Sequence, residues 1–135
     1  MKDILAELMG EWCTGVNIGG IILKICLAIV LSAVIGSERA TKRHAAGLRT
    51  FMLVSLVSAL AATVDKFLIT EYGVSIPVVT GATVIGLAIV SSNTILYSSK
   101  SQIKGLTTSV ALWGNSILSV LIGLDLYLIA LVCCA

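Results

Sequence analysis

The chain has 135 residues, of which 58% are hydrophobic and only 12% charged, with a mean hydropathy of +1.08 and a formal net charge of +2. Soluble domains carry roughly 25% charged residues, so this composition excludes a globule that covers itself with polar side chains. The small net charge gives no reason to expect a nucleic-acid partner, and the chain reads as an integral membrane protein whose solvent is the lipid bilayer.

Residues 3–12 place Ile4, Leu5, Leu8, Met9 and Trp12 at helical spacing, opposite Asp3, Glu7 and Glu11. The pattern predicts a short amphipathic helix on the membrane interface with Trp12 as its anchor, or else a plain extension of the span that follows. The acidic start, MKDILAELMGEW, lacks the basic leader of a cleavable signal peptide, so none is expected.

A membrane-spanning helix needs about 20 predominantly apolar residues. Four stretches qualify approximately: 18–36, 48–69, 78–97 (preceded by Pro77, the chain's only proline) and 107–123. None alternates as a barrel strand does, and only helices and closed barrels satisfy their backbone in lipid. The predicted fold is therefore an all-α polytopic helical bundle, a single transmembrane domain over residues 1–135. The tail, 124–135, carries one charge, Asp125. A continuous helix would bury that carboxylate, whereas a turn at Gly123-Leu124-Asp125 leaves it at the outer surface and starts an incomplete fifth helix. The cost of an unpaired carboxylate in lipid favours the turn.

Arg39, Lys42, Arg43 and Arg49 fall between the first two spans, and Lys100 and Lys104 between the third and fourth. The positive-inside rule places loops 37–49 and 98–106 in the cytoplasm and the N-terminus outside. Glu38 and Arg49, at the cytoplasmic ends of neighbouring antiparallel spans, are expected to meet as a charge-assisted helix-end clamp; the alternative is that Arg49 snorkels to lipid phosphates.

Within the spans, Ser32/Gly36, Ser55/Ala59, Ser58/Ala62, Ala82/Gly86 and Ser119/Gly123 put small residues four apart, which predicts close helix contacts and leaves room for a homodimer. Asn93 and Asn115 are the two amides at membrane depth. Each needs a partner, from another helix or from a polar solute path. Lys24, about two turns into the first span, is expected to snorkel outward, pair with Asp65 or contact a substrate. Gly47-Leu48-Arg49-Thr50 and Gly105-Leu106-Thr107-Thr108 form a mirrored G-L-x-T element, a weak internal repeat whose threonines are expected to cap their helices.

Cys13, Cys26, Cys133 and Cys134 form no CxxC pair and are read as small packing residues rather than as a disulfide or metal framework. His44 is a lone histidine, and a metal site needs several converging ligands. No phosphate-binding loop, activated nucleophile or intramembrane carboxylate pair is evident, so neither catalytic activity, nor a cofactor, nor a metal centre is expected.

The segment VIGSERATKRHAAGLRTFMLV, with Glu38, Arg39, Gly47, Arg49 and Thr50, resembles the first signature of the MgtC/SapB family, an IGxER element followed by a basic stretch and AGLRT. VVTGATVIGLA, with Gly81 and Gly86, resembles the family's glycine-rich third span, although Thr83 and Ala88 stand where two further glycines are usual. SQIKGLTTSVALW, with Lys104, Gly105 and Thr107, resembles its basic-GLTT-LW element. The matches cover residues 30–54 and 78–113. The resemblance implies a bacterial inner-membrane regulator or accessory factor in adaptation to low magnesium and, in pathogens, in virulence. It also implies action through other membrane proteins, the proton-translocating ATP synthase among them. The alternative is an oligomeric transporter or channel for a cation such as Mg²⁺, lined by Asn93, Asn115 and serines. Coupled cation transport usually shows intramembrane carboxylates, and Asp125 is the one candidate.

Overall fold

The computed structural model describes residues 18–41, 46–93, 96–97 and 103–134. The expected interfacial helix at 3–12 and the residues Cys13, Lys42, Arg43, His44 and Lys100 lie outside them. The elements are α1 (Ile18–Thr41), α2 (Leu48–Tyr72), α3 (Val78–Ser92), β1 (Leu96–Tyr97), β2 (Ile103–Lys104), α4 (Leu106–Gly123) and α5 (Tyr127–Cys134). The fold is an all-α membrane bundle, and the two-residue strands add a small antiparallel ribbon, Leu96 opposite Lys104 and Tyr97 opposite Ile103.

Among the described residues three helices, α1, α2 and α4, are long and apolar enough to cross a bilayer. The third expected span is shorter than its hydropathy suggests. It ends at Ser92 rather than near residue 97, where the Asn93 amide donates to the Val90 carbonyl at 3.2 Å and tightens the last turn. Its 15 residues rise about 22 Å, short of a hydrocarbon core of about 30 Å.

The helix starts correct the expected threonine caps. The N-cap residues are Gly47 and Gly105, which have no side chain to offer, and the threonines sit inside the first turn. The Gly47 carbonyl accepts from Thr50 and Phe51, and the Gly105 carbonyl from Ser109. Gly47 is extended (φ −102°, ψ −175°) and Gly105 left-handed (φ 91°), so the mirrored element begins two helices by different backbone routes.

The chain does turn at Gly123-Leu124-Asp125. The Leu126 amide bonds the Leu121 carbonyl at 2.9 Å and the Asp125 amide the Ile122 carbonyl at 3.1 Å. This is the paired bonding of a Schellman motif, and Asp125, at φ 66°, stands at the left-handed position that glycine usually takes.

Side-chain contacts set the helix directions. Gly36 of α1 packs on Leu48 and Phe51 of α2, while Lys24 and Lys66 meet at a common carboxylate, so these two helices are antiparallel. The pairs Phe51–Asn115, Ser55–Ser119 and Lys66–Asp125 make α2 and α4 parallel neighbours. One apolar cluster joins Ala28, Ala59, Ile122, Tyr127 and Ala130 at the Asp125 end of the bundle; a second joins Ala46, Phe51 and Leu112 at the Arg49 end. Large apolar side chains such as Val30, Val34, Leu53 and Val57 point outward, as a lipid-facing surface requires.

Candidate functional site

The interior of the bundle is polar in two layers. The first is a seam between α1, α2 and α4, in which Ser32, Ser55, Ser58, Asn115, Ser116 and Ser119 are all buried. The Ser32 hydroxyl donates to Asn115 Oδ1 at 2.7 Å, and Asn115 Nδ2 donates to the Phe51 carbonyl at 3.0 Å. Ser58 and Ser116 share a hydrogen bond of 2.8 Å. Ser119 Oγ lies 2.8 Å from the Asn115 carbonyl and 2.9 Å from Ser55 Oγ. The Ser119 hydroxyl is the donor toward both, so its one proton is shared between the Asn115 carbonyl and the Ser55 hydroxyl. Asn115 thus finds the interhelical partners its burial demands.

The second layer is charged and lies at the α4–α5 turn. Lys24 Nζ approaches Asp125 Oδ1 at 2.7 Å, Lys66 contacts Oδ2, and the Tyr127 hydroxyl donates to Oδ1 at 3.1 Å. The Lys24 side chain is 1% exposed and its approach is misaligned, a charge contact rather than a directed hydrogen bond. Asp125 therefore does not stand at an open outer surface as expected. Its left-handed backbone turns the carboxylate back between two helices, where two ammonium groups offset the cost of burying it.

This arrangement also corrects the expected Lys24–Asp65 pair. Asp65 is engaged by α3: Oδ1 accepts from the Val79 amide at 3.0 Å and Oδ2 from the Thr80 amide at 2.5 Å. Pro77 at the N-cap of α3 has no side-chain acceptor, so a carboxylate from α2 satisfies amides the helix leaves open. Asp65 is a cap delivered from another helix.

The remaining motif residues are dispersed. Glu38 is exposed on the last turn of α1, Arg39 is half-buried, and Arg49 and Thr50 are exposed on the first turn of α2. The ion pairs between described residues join Lys24 and Lys66 to Asp125; a Glu38–Arg49 pair is not among them. Lys104 lies in β2, Gly105 precedes α4, and Thr107 is exposed. Asn93 is exposed at the end of α3 rather than paired at membrane depth, because that helix stops short. Gly81 and Gly86 lie on an outward face of α3, with open space where a Cβ would project.

Sequence reasoning expected a partner for Asn115 but missed the serine seam as a hydrogen-bonded unit, having read Ser32, Ser55, Ser58 and Ser119 as small packing residues. The shared spacing of Ser55/Ser58 and Ser116/Ser119, beside a buried asparagine, is the signal that would have found it. For the charged layer the signal was Lys24, Lys66, Asp65 and Asp125 falling toward the same ends of their spans, without a sign of which aspartate the lysines take.

The MgtC family model matches residues 25–135. Among curated proteins the chain is 29% identical over 112 residues to YhiD of Escherichia coli (strain K12), provisionally named a magnesium transporter, covering 78% of this chain and 52% of that protein. It is also 29% identical over 136 residues to the protein SrpB of Synechococcus elongatus, covering 91% and 70% of the two chains. An uncharacterized protein of Synechocystis sp. is 30% identical over 106 residues, 78% of this chain and 44% of its own length. The chain thus spans about half the length of YhiD. No solved structure gives a significant match.

Proposed function

The chain belongs to the MgtC family, and on that premise we propose that it is a regulator or accessory factor in adaptation to low magnesium, acting through contacts with other membrane proteins. The observation that carries this reading is the outward face of α3. The small-residue pairs of α1, α2 and α4 are buried inside the bundle, whereas Ala82 and Gly86 stand exposed beside Gly81, Ile85 and Ile89. In lipid such a face lets another helix approach to backbone contact. The partner is a second copy of this chain or another multi-pass protein, with the proton-translocating ATP synthase a candidate and virulence a further setting for the same role. In the orientation proposed, the Arg49 end and loops 37–49 and 98–106 face the cytoplasm of a bacterial inner membrane, and the Asp125 end faces outward.

The interior supports the same reading, since the seam at mid-bundle pairs its hydroxyls and amide with one another. A second reading, a magnesium transporter, is favoured by the name of the Escherichia coli relative. Gly86→Leu tests the first: it is expected to leave the purified bundle folded and to abolish growth support at low magnesium together with partner cross-linking through α3. Saturable Mg²⁺ entry into liposomes holding the wild-type protein would replace this reading with the second.

A further inference from the structure

The helices of the bundle are not held alike. The serine seam and the Asp125 cluster are built from α1, α2, α4 and the turn after α4, and they tie those elements together at two depths. α3 packs on α2 and α4 but buries a single residue, Ser91, in its last turn. Val78, Ala82, Ile85 and Ile89 are exposed along one long side of it. The start of α3 is held differently. The Asp65 carboxylate reaches across from α2 and accepts the Val79 and Thr80 amides, one on each oxygen. Every helix start leaves such amides open, so α3 remains a helix when these bonds part. The link that precedes it is thin: α2 ends at Gly73, with φ 65°, and Ser75, Ile76 and Pro77 are exposed. A left-handed glycine followed by an exposed link lets the start of α3 shift without bending α2.

We propose that α3 is a latched arm. Asp65 is the latch, the buried Ser91 end is the pivot, and the Asp65 end of α3 swings away from α2 when the two amide bonds part. Segments that bury little surface open before the rest of a fold, and a few residues at element ends absorb the motion. α1, α2 and α4 keep their arrangement in both states, because the seam and the Asp125 cluster do not draw on Asp65. The device is independent of the outward face of α3 and stands whether or not a partner lies there.

The test is a pair of spin-label distance measurements on the full chain in lipid nanodiscs, with its four cysteines replaced by alanine. Labels at Val78 and Ile22 span the latch end, and labels at Val90 and Val34 span the pivot end; all four positions are exposed. The latch-end pair is expected to show a short and a long separation, and the pivot-end pair one. Asp65→Asn sets an amide donor against one of the two backbone amides. It is expected to raise the ratio of long to short separations about fivefold, the effect of one lost cap acceptor, and to leave the pivot-end pair unchanged. Should that variant not fold, Val79→Pro removes a donor from the α3 side, within the first turn where proline is tolerated, and carries the same comparison. A single latch-end separation in wild type and variant alike overturns the proposal. Equal lengthening of both pairs overturns it too, since α3 then leaves the bundle as a whole and has no pivot.

Discussion

Gly123 of α4 lies so close to Ala62 of α2 that a Cβ on the glycine would stand 2.6 Å from the alanine Cβ and 3.0 Å from the Ala59 carbonyl oxygen. Two backbones approach here because neither carries a side chain beyond a methyl group. Gly123→Ala forces the helices apart, and overpacking of this kind costs about 1–3 kcal/mol. Gly81→Ala, where the same methyl meets open space, is expected to be near neutral. Comparing the two unfolding midpoints in one detergent checks the contact, and equal midpoints would remove it.

Asn115 joins three helices through Ser32 and the Phe51 carbonyl. Asn115→Leu leaves a buried hydroxyl without its acceptor and is expected to cost about 1–2 kcal/mol, the range of interhelical hydrogen bonds in membranes. A double-mutant cycle with Ser32→Ala should show coupling of roughly 0.5 kcal/mol or more, since the two residues are in contact. Asn93→Leu, at the exposed end of α3, should change stability by less than about 0.5 kcal/mol. A loss equal to that of Asn115→Leu would show that both amides are buried in the working protein.

Removing charges from the Asp125 cluster is expected to be asymmetric. Asp125→Asn leaves Lys24 and Lys66 facing a neutral group and each other, which should cost about 3 kcal/mol, the lower range for breaking a buried pair. Lys24→Met leaves one ammonium on one carboxylate and should cost far less. Asp125→Gly separates charge from backbone strain, because glycine accepts φ 66° more readily while removing the same carboxylate. If Asp125→Gly is as stable as wild type, the ion cluster does not hold the fifth helix in place.

Asp65 should behave as a cap even though it belongs to a different helix. Asp65→Ala opens the Val79 and Thr80 amides, at a cost of about 1 kcal/mol for a lost N-cap acceptor. Hydrogen exchange is the sharper measurement: protection should fall at residues 79 and 80 and remain at the centre of α2. Uniform loss along both helices would mean that Asp65 supports the whole bundle.

Fold class was open to reading from composition because the requirement is local and severe: in lipid each segment must satisfy its own backbone and present apolar side chains. The same reasoning located the turn at Gly123-Leu124-Asp125, from nothing more than the cost of leaving a carboxylate unpaired. The family motifs were equally legible, but not their local role: the threonines expected to cap α2 and α4 leave that position to Gly47 and Gly105.

Tertiary structure decided who meets whom. Lys24 had two aspartates within reach on the same side of the membrane, and its choice of Asp125 over Asp65 depends on the left-handed turn after α4 and on the start of α3, which takes Asp65 for its own amides. Whether a serine merely makes room or also bonds a neighbour depends on the azimuth of two helices far apart in sequence, as with Ser58 and Ser116. Hydropathy reports how much a segment prefers lipid, a sum over its own residues. Partner choice comes from the geometry of several segments at once, and a single chain read in order does not carry it.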